Sequence, residues 1–154
     1  TEELHLKFFS VIYPTRAFLP QLAKQPGAAI VCVNSLLAAQ PEPHMVATSA
    51  ARAGIKNLVR SMATEFAPKG VRVNGILVGL IESGQWRRRF EARDDKSQDW
   101  AAWTGALATK KSIPLARLGL PREAAQAIAF LASPLSSYTT GSHIDVSGGL
   151  SRHA

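Results

Sequence analysis

Cysteine is nearly missing from this chain of 154 residues: its single thiol, Cys32, lies inside the apolar run AAIVCVN. One cysteine excludes an internal disulfide and a cysteine-built metal cluster, and the apolar setting predicts a buried, unreactive thiol. No metal site is expected. No run approaches the roughly 20 apolar residues that span a bilayer. The opening TEELHLKFF lacks the basic-then-apolar layout of a signal peptide. A cytoplasmic protein without a membrane partner is the expectation. Tyrosine is scarce as well, confined to Tyr13 and Tyr138, both in settings that suit packing. Charged residues make up only 19% and hydrophobic ones 46%, which argues against disorder and suffices for one compact domain over 1–154.

Acidic residues are the minority, 11 against 18 lysines and arginines, for a formal net charge of +7. Such an excess suits an anionic partner. Its densest patch, WRRRFEAR at 86–93, runs at once into EARDD, which reads as a solvated helix face rather than a nucleic-acid arm. No nucleic-acid partner is expected; a phosphorylated or acidic small molecule fits the charge better.

There are no repeats and no low-complexity segments. Residues 2–24 carry Leu4, Phe8, Val11, Ile12, Phe18 and Leu19 at helical spacing, which predicts a helix kinked at Pro14 and ending near Pro20. AAIVCVNS at 28–35 and VRVNGILVG at 71–79 read as strands covered on both faces of a parallel sheet. Between them, 45–67 is helical, with Ile55, Leu58, Val59, Met62 and Phe66 on one stripe, closed by APKG. An irregular excursion over 80–118, rich in Trp and Arg, predicts two short helices. A helix at 121–133 with Pro at its first turn and a short strand at 141–149 complete the chain. Strands alternating with helices predict an α/β, doubly wound parallel sheet, whose ligands bind beyond the carboxyl ends of the strands. Asn34-Ser35 and Val78-Gly79 fall there.

These segments, in this order, resemble the short-chain dehydrogenase/reductase family. IVCVNS resembles its serine strand, LVRSMATEFAPKGVRVNGILVG the helix and strand that follow, and RLGLPREAAQAIAFLASPLSSYTTGSHIDVSGG its C-terminal helix and strand. The match covers nearly the whole chain but only the C-terminal half of such an enzyme's Rossmann-like domain. The family's Gly-rich turn, GxxxGxG, occurs nowhere in it. The resemblance thus implies the C-terminal portion of a longer protein; a free-standing half-domain is the alternative, and would leave a strand edge bare.

The resemblance implies NAD or NADP as cofactor, a small carbonyl or alcohol substrate and a homo-oligomer, dimer or tetramer. The family's Asn-Ser-Tyr-Lys set falls on Lys7, Ser35, Thr48 and Arg52, so only the serine is kept. The implied catalytic set is Ser35, Thr48 and Arg52. Cofactor contacts are implied for Thr48 and Arg52, and for Val78, Gly79, Ile81 and Ser83 of VGLIES, which resembles the family's PGxIxT. A phenol starts near pKa ~10, and a threonine hydroxyl starts far higher, so Thr48 can relay a proton but not rest as an anion. Arg52 remains a fixed cation with a different reach from lysine. His44, ahead of the helix, is an alternative donor or a plain loop residue. The excursion, with Trp86, Phe90, Trp100 and Trp103, lies where the family's substrate lid occurs. It forms either a pocket for an acidic or aromatic carbonyl compound or a lid packed shut. Two readings follow: a short-chain oxidoreductase, or a family-fold protein without turnover serving as a cofactor-binding or oligomer-forming partner.

Overall fold

The computed structural model describes residues 2–152. A helical turn at Glu2–Leu4 and a π-helical segment at His5–Phe9 lead into α1 (Ser10–Leu22), followed by β1 (Ala29–Ser35), α2 (Val46–Phe66) and β2 (Arg72–Val78). The excursion holds α3 (Gly84–Glu91) and α4 (Trp100–Lys110), and α5 (Pro121–Ala132) and β3 (His143–Val146) close the fold. All three strands run parallel in the order β1-β2-β3, with Ser35 level with Val78 and Val78 level with Val146. That register brings three carboxyl ends to one edge.

The core explains the register. The α2 stripe Ile55, Val59, Met62 and Phe66 buries against Cys32, Val71 and Val73, and Phe8, Val11 and Leu19 of the N-terminal helix close the same layer. Burial pushes the Cys32 thiol up to about 11, so almost no thiolate forms near neutrality. Gly70 ends the α2 turn in the left-handed region, at φ 73°, where a side chain would be strained. On the opposite face, the Arg72 guanidinium donates to the Leu131 and Ser133 carbonyls, satisfying the end of α5. The buried Asn74 amide ties the following loop down by donating to Thr139 O and accepting from Ser142 N–H.

Two expectations are corrected. Neither proline breaks the first helix: Pro14 and Pro20 both lie inside α1, which runs on to Leu22. Both are exposed, as are Ser10 and Arg16, whose carbonyls the proline rings leave without helical donors, so water can satisfy those groups. The irregularity lies upstream instead, in the π-helical segment around Lys7. Likewise β1 is not covered on both faces. Cys32 and Asn34 are buried against α2, but Val33 on the other side is 60% exposed. Helix α5 packs on that face but leaves Val33 uncovered, and among the described residues no strand pairs with the outer edge of β1. The other elements form within a residue or two of their expected limits, except β3, which ends at Val146, three residues before the expected 149.

Candidate active site

The strand exits and the excursion enclose a cleft of about 400 Å³. Ser35 enters it from the end of β1, Arg52 from α2, and Val78, Gly79, Ile81 and Ser83 from the segment leaving β2. Trp86 and Arg89 of α3 and Lys111 beyond α4 form the opposite wall.

Each strand-exit residue is held by a local device. The Ser35 side chain accepts the Leu37 N–H at 3.3 Å, capping a short 3-10 turn, which leaves its own O–H free to donate into the cleft. Asn34, 1% exposed, is the joint between Ser35 and Arg52. Its Oδ1 accepts the Ser35 N–H at 2.9 Å and Arg52 Nη1 at 3.3 Å, while its Nδ2 donates to the Arg52 carbonyl at 2.9 Å. Gly79 sits so near the turn after β3 that an added Cβ would lie 2.9 Å from Ser147 Cα, which is main chain and cannot swing aside. A small residue is required there by packing.

Arg52 is half-buried. That burial lowers its pKa, and the Glu3 carboxylate opposes the shift. A guanidinium nevertheless stays charged at any physiological pH. Its Nε is buried without a partner, a spare donor facing no protein acceptor. Such a donor fits a sugar hydroxyl. The structure therefore gathers six of the seven residues implied by resemblance: Ser35, Arg52, Val78, Gly79, Ile81 and Ser83. It does not bring in Thr48, which lies one turn before Arg52 in α2, half-buried and outside the cleft lining. His44 is exposed, in the left-handed region at φ 64°, and also outside the lining.

The aromatic excursion does two things. Phe90, Trp100 and Trp103 pack on one another with ring centroids 5.3–5.7 Å apart, a small core of the excursion itself. Trp86 alone of the four reaches the cleft wall. Lys111 meets Glu42, in the loop after β1, at 2.9 Å; both are partly exposed, so this latch contributes about 0–1 kcal/mol. At the far end, Arg117 holds the Glu123 carboxyl down to about 2, and Glu123 in turn accepts the Leu120 N–H, fixing the start of α5.

Arg89 and the Glu42–Lys111 latch were not singled out from sequence, and Asn34 was placed at the strand exit without a role. Asn34 had a signal, since it is the one amide in an otherwise apolar, β-branched run. Arg89 follows Trp86 by three residues, a spacing that stacks side chains on one helical face.

A parallel α/β sheet with its cleft at the strands' carboxyl ends defines a Rossmann-like fold with its site where such folds bind ligands. The profile described as enoyl-(acyl carrier protein) reductase matches residues 2–151. The apo structure of a short-chain oxidoreductase from Pseudomonas aeruginosa PAO1, described as containing an atypical catalytic center, is 80% identical with a TM-score of 0.97, over 99% of this chain and 58% of that one. The NADPH-bound structure of that oxidoreductase gives 80% identity and a TM-score of 0.94 over 99% and 57% of the two chains. An uncharacterized short-chain type dehydrogenase/reductase from Sinorhizobium fredii is 36% identical over 148 residues, 93% of this chain and 53% of that protein. The chain belongs to the short-chain dehydrogenase/reductase family, an oxidoreductase family. It spans about half the length of the curated relatives it matches. No described helix is long and apolar enough to cross a membrane.

Proposed function

We propose that the protein is an NAD(P)-dependent oxidoreductase interconverting a carbonyl and an alcohol on a small molecule, and that 1–154 is the C-terminal portion of its catalytic domain. The observation that carries this reading is the convergence of Ser35, Arg52 and the 78–83 segment on one cleft. The 80% identical oxidoreductase has an NADPH-bound structure, which supports a nicotinamide cofactor here. The bare edge of β1 and the exposed Val33 support further chain, or another protein, beside it.

A nicotinamide, when bound, would supply or accept hydride at the carbinol carbon. Ser35 orients the carbonyl oxygen through its free O–H. Arg52 holds the ribose hydroxyls through Nε, its guanidinium aimed by Asn34. Val78, Gly79, Ile81 and Ser83 provide the surface for the carboxamide. Thr48, set back from the cleft, relays a proton through water rather than donating it directly, and the exposed, outward His44 takes no part. Lys7 lies in the π-helical segment, outside the cleft lining; π-helical segments often mark functional sites. Residues 80–118 act as the substrate lid.

Titrating NADPH and NADH fluorescence with the intact protein, then screening carbonyl compounds, tests the assignment. Saturable binding with turnover is expected. Binding without turnover would leave a cofactor-binding partner in place of an enzyme, and no binding of either dinucleotide would end the proposal.

The exposed apolar side chains Leu6, Tyr13 and Phe18 of the N-terminal helix and Val46 of α2 suit a helix-to-helix contact between copies. The protein is therefore expected to run as a dimer or tetramer in the cytoplasm, where its lone buried cysteine is at no disadvantage. A monomer by light scattering at micromolar concentration would overturn the oligomer.

A further inference from the structure

The cleft wall is unevenly charged. Arg52, Arg89 and Lys111 line it against a single carboxylate, Glu42, which Lys111 already engages at 2.9 Å. Two guanidiniums are left without an acidic partner on the wall. Arg52 is aimed by Asn34 toward the cofactor side, which leaves Arg89.

Arg89 differs from the stacked arginines beside it. Arg87 lies 3.7 Å over Trp100 but also faces Glu82, at 3.9 Å. Arg93 stacks on Phe90 and donates to the carbonyls of Phe90 and Gln98. Arg89 lies 4.7 Å over the Trp86 ring, and among the described residues no acceptor takes any of its N–H groups. Stacking fixes the plane of a guanidinium while leaving its edge open, and that edge matches the two oxygens of a carboxylate. An arginine placed this way on a cleft wall has its donors ready for an oxyanion from outside the protein.

We infer that Arg89, held by Trp86, is the specificity anchor of the cleft, and that the carbonyl substrate carries a carboxylate. The inference rests on the carbonyl/alcohol reading above. Ser35 at the strand end takes the reacting carbonyl, Arg89 takes the anionic end, and Leu37, Leu80 and Leu150, which line the same cleft, accept an apolar body. The other source of oxyanions is the cofactor's own phosphates, so the test must separate the two.

Benzaldehyde and 4-carboxybenzaldehyde form a matched pair, alike except for the carboxylate. In the intact protein with NADPH, the carboxylate compound is expected to show a KM lower by about ten- to a hundredfold, the range of a lost charge-assisted pair. Arg89→Met should erase that preference by raising KM for the carboxylate compound alone, with kcat and NADPH affinity unchanged; Arg89→Lys should restore only part of it. Equal KM values for the two aldehydes in the wild type would overturn the inference. So would an Arg89→Met protein whose NADPH affinity falls, which would assign Arg89 to the cofactor. Calorimetric titration of 4-carboxybenzaldehyde into the protein with NADP+ decides the matter without turnover. Binding that needs Arg89 supports the anchor even where the oxidoreductase reading fails, and binding indifferent to Arg89 removes it.

Discussion

Replacing Ser35 with alanine is expected to lower the carbonyl-reducing kcat by about 10²–10³-fold, the range for removing one preorganised donor to a developing oxyanion. The argument comes from how its hydroxyl is divided. The oxygen accepts the Leu37 N–H at 3.3 Å, so the lone pair has a structural task while the hydrogen has none within the protein. Alanine removes both functions at once. Loss of the cap alone costs about 0.5–2 kcal/mol of stability, which a thermal melt would register as a modest shift in an intact fold. Threonine in place of Ser35 keeps the hydroxyl and should recover most of the rate, whereas NADPH affinity should stay unchanged in both variants. An alanine variant that turns over as fast as wild type would confine Ser35 to capping.

Much of this architecture is legible in the chain because its signals are redundant. The α2 stripe repeats at 3.6-residue spacing over five positions, and the first two strands are short β-branched runs between turn residues, so no single exception can move them. The prolines misled because their cost depends on whether solvent can reach the carbonyls they orphan, a fact of the folded surface absent from the local sequence. Val33 misled for a related reason. An apolar strand states that it wants two covered faces, but the cover comes from whatever packs there, and α5 packs on β1 without covering Val33. The aromatic excursion offered two readings, and both hold in part: three rings pack on each other and one faces the cleft.

The site divides in the same way. Ser35, Val78 and Gly79 follow from the order of strand exits, since a parallel sheet must deliver them to one edge, whereas Arg52, Ile81 and Ser83 follow only from the family resemblance. Thr48 shows the limit of such transfer. Helical spacing places it one turn from Arg52, but whether its small side chain reaches the cleft depends on reach, and a hydroxyl on two carbons stops short of where a longer group would end. The contacts that orient the site were the least legible, because each joins residues far apart in sequence: Asn34 to Arg52, and Glu42 to Lys111.

Asn34 therefore gives the sharpest separation of folding from function. Asn34→Leu removes an acceptor for two groups and a donor for a third, leaving the Ser35 N–H and the Arg52 guanidinium buried beside a hydrocarbon. Each unsatisfied group costs about 1–3 kcal/mol, so the expected loss of stability is at least about 2 kcal/mol, with a weakened hold on NADPH because Arg52 is no longer aimed. Asn34→Asp changes less volume and splits the effects. A carboxylate still accepts from Ser35 and draws Arg52 in more strongly, but it turns an oxygen toward the Arg52 carbonyl where the amide had donated. Stability should fall in this variant while NADPH affinity holds. Melting temperatures read against NADPH dissociation constants would show the divergence: both losses in the leucine variant, only the first in the aspartate variant. A leucine variant that melts and binds like wild type would mean that Arg52 is aimed by other groups, with the Glu3 carboxylate the next to test.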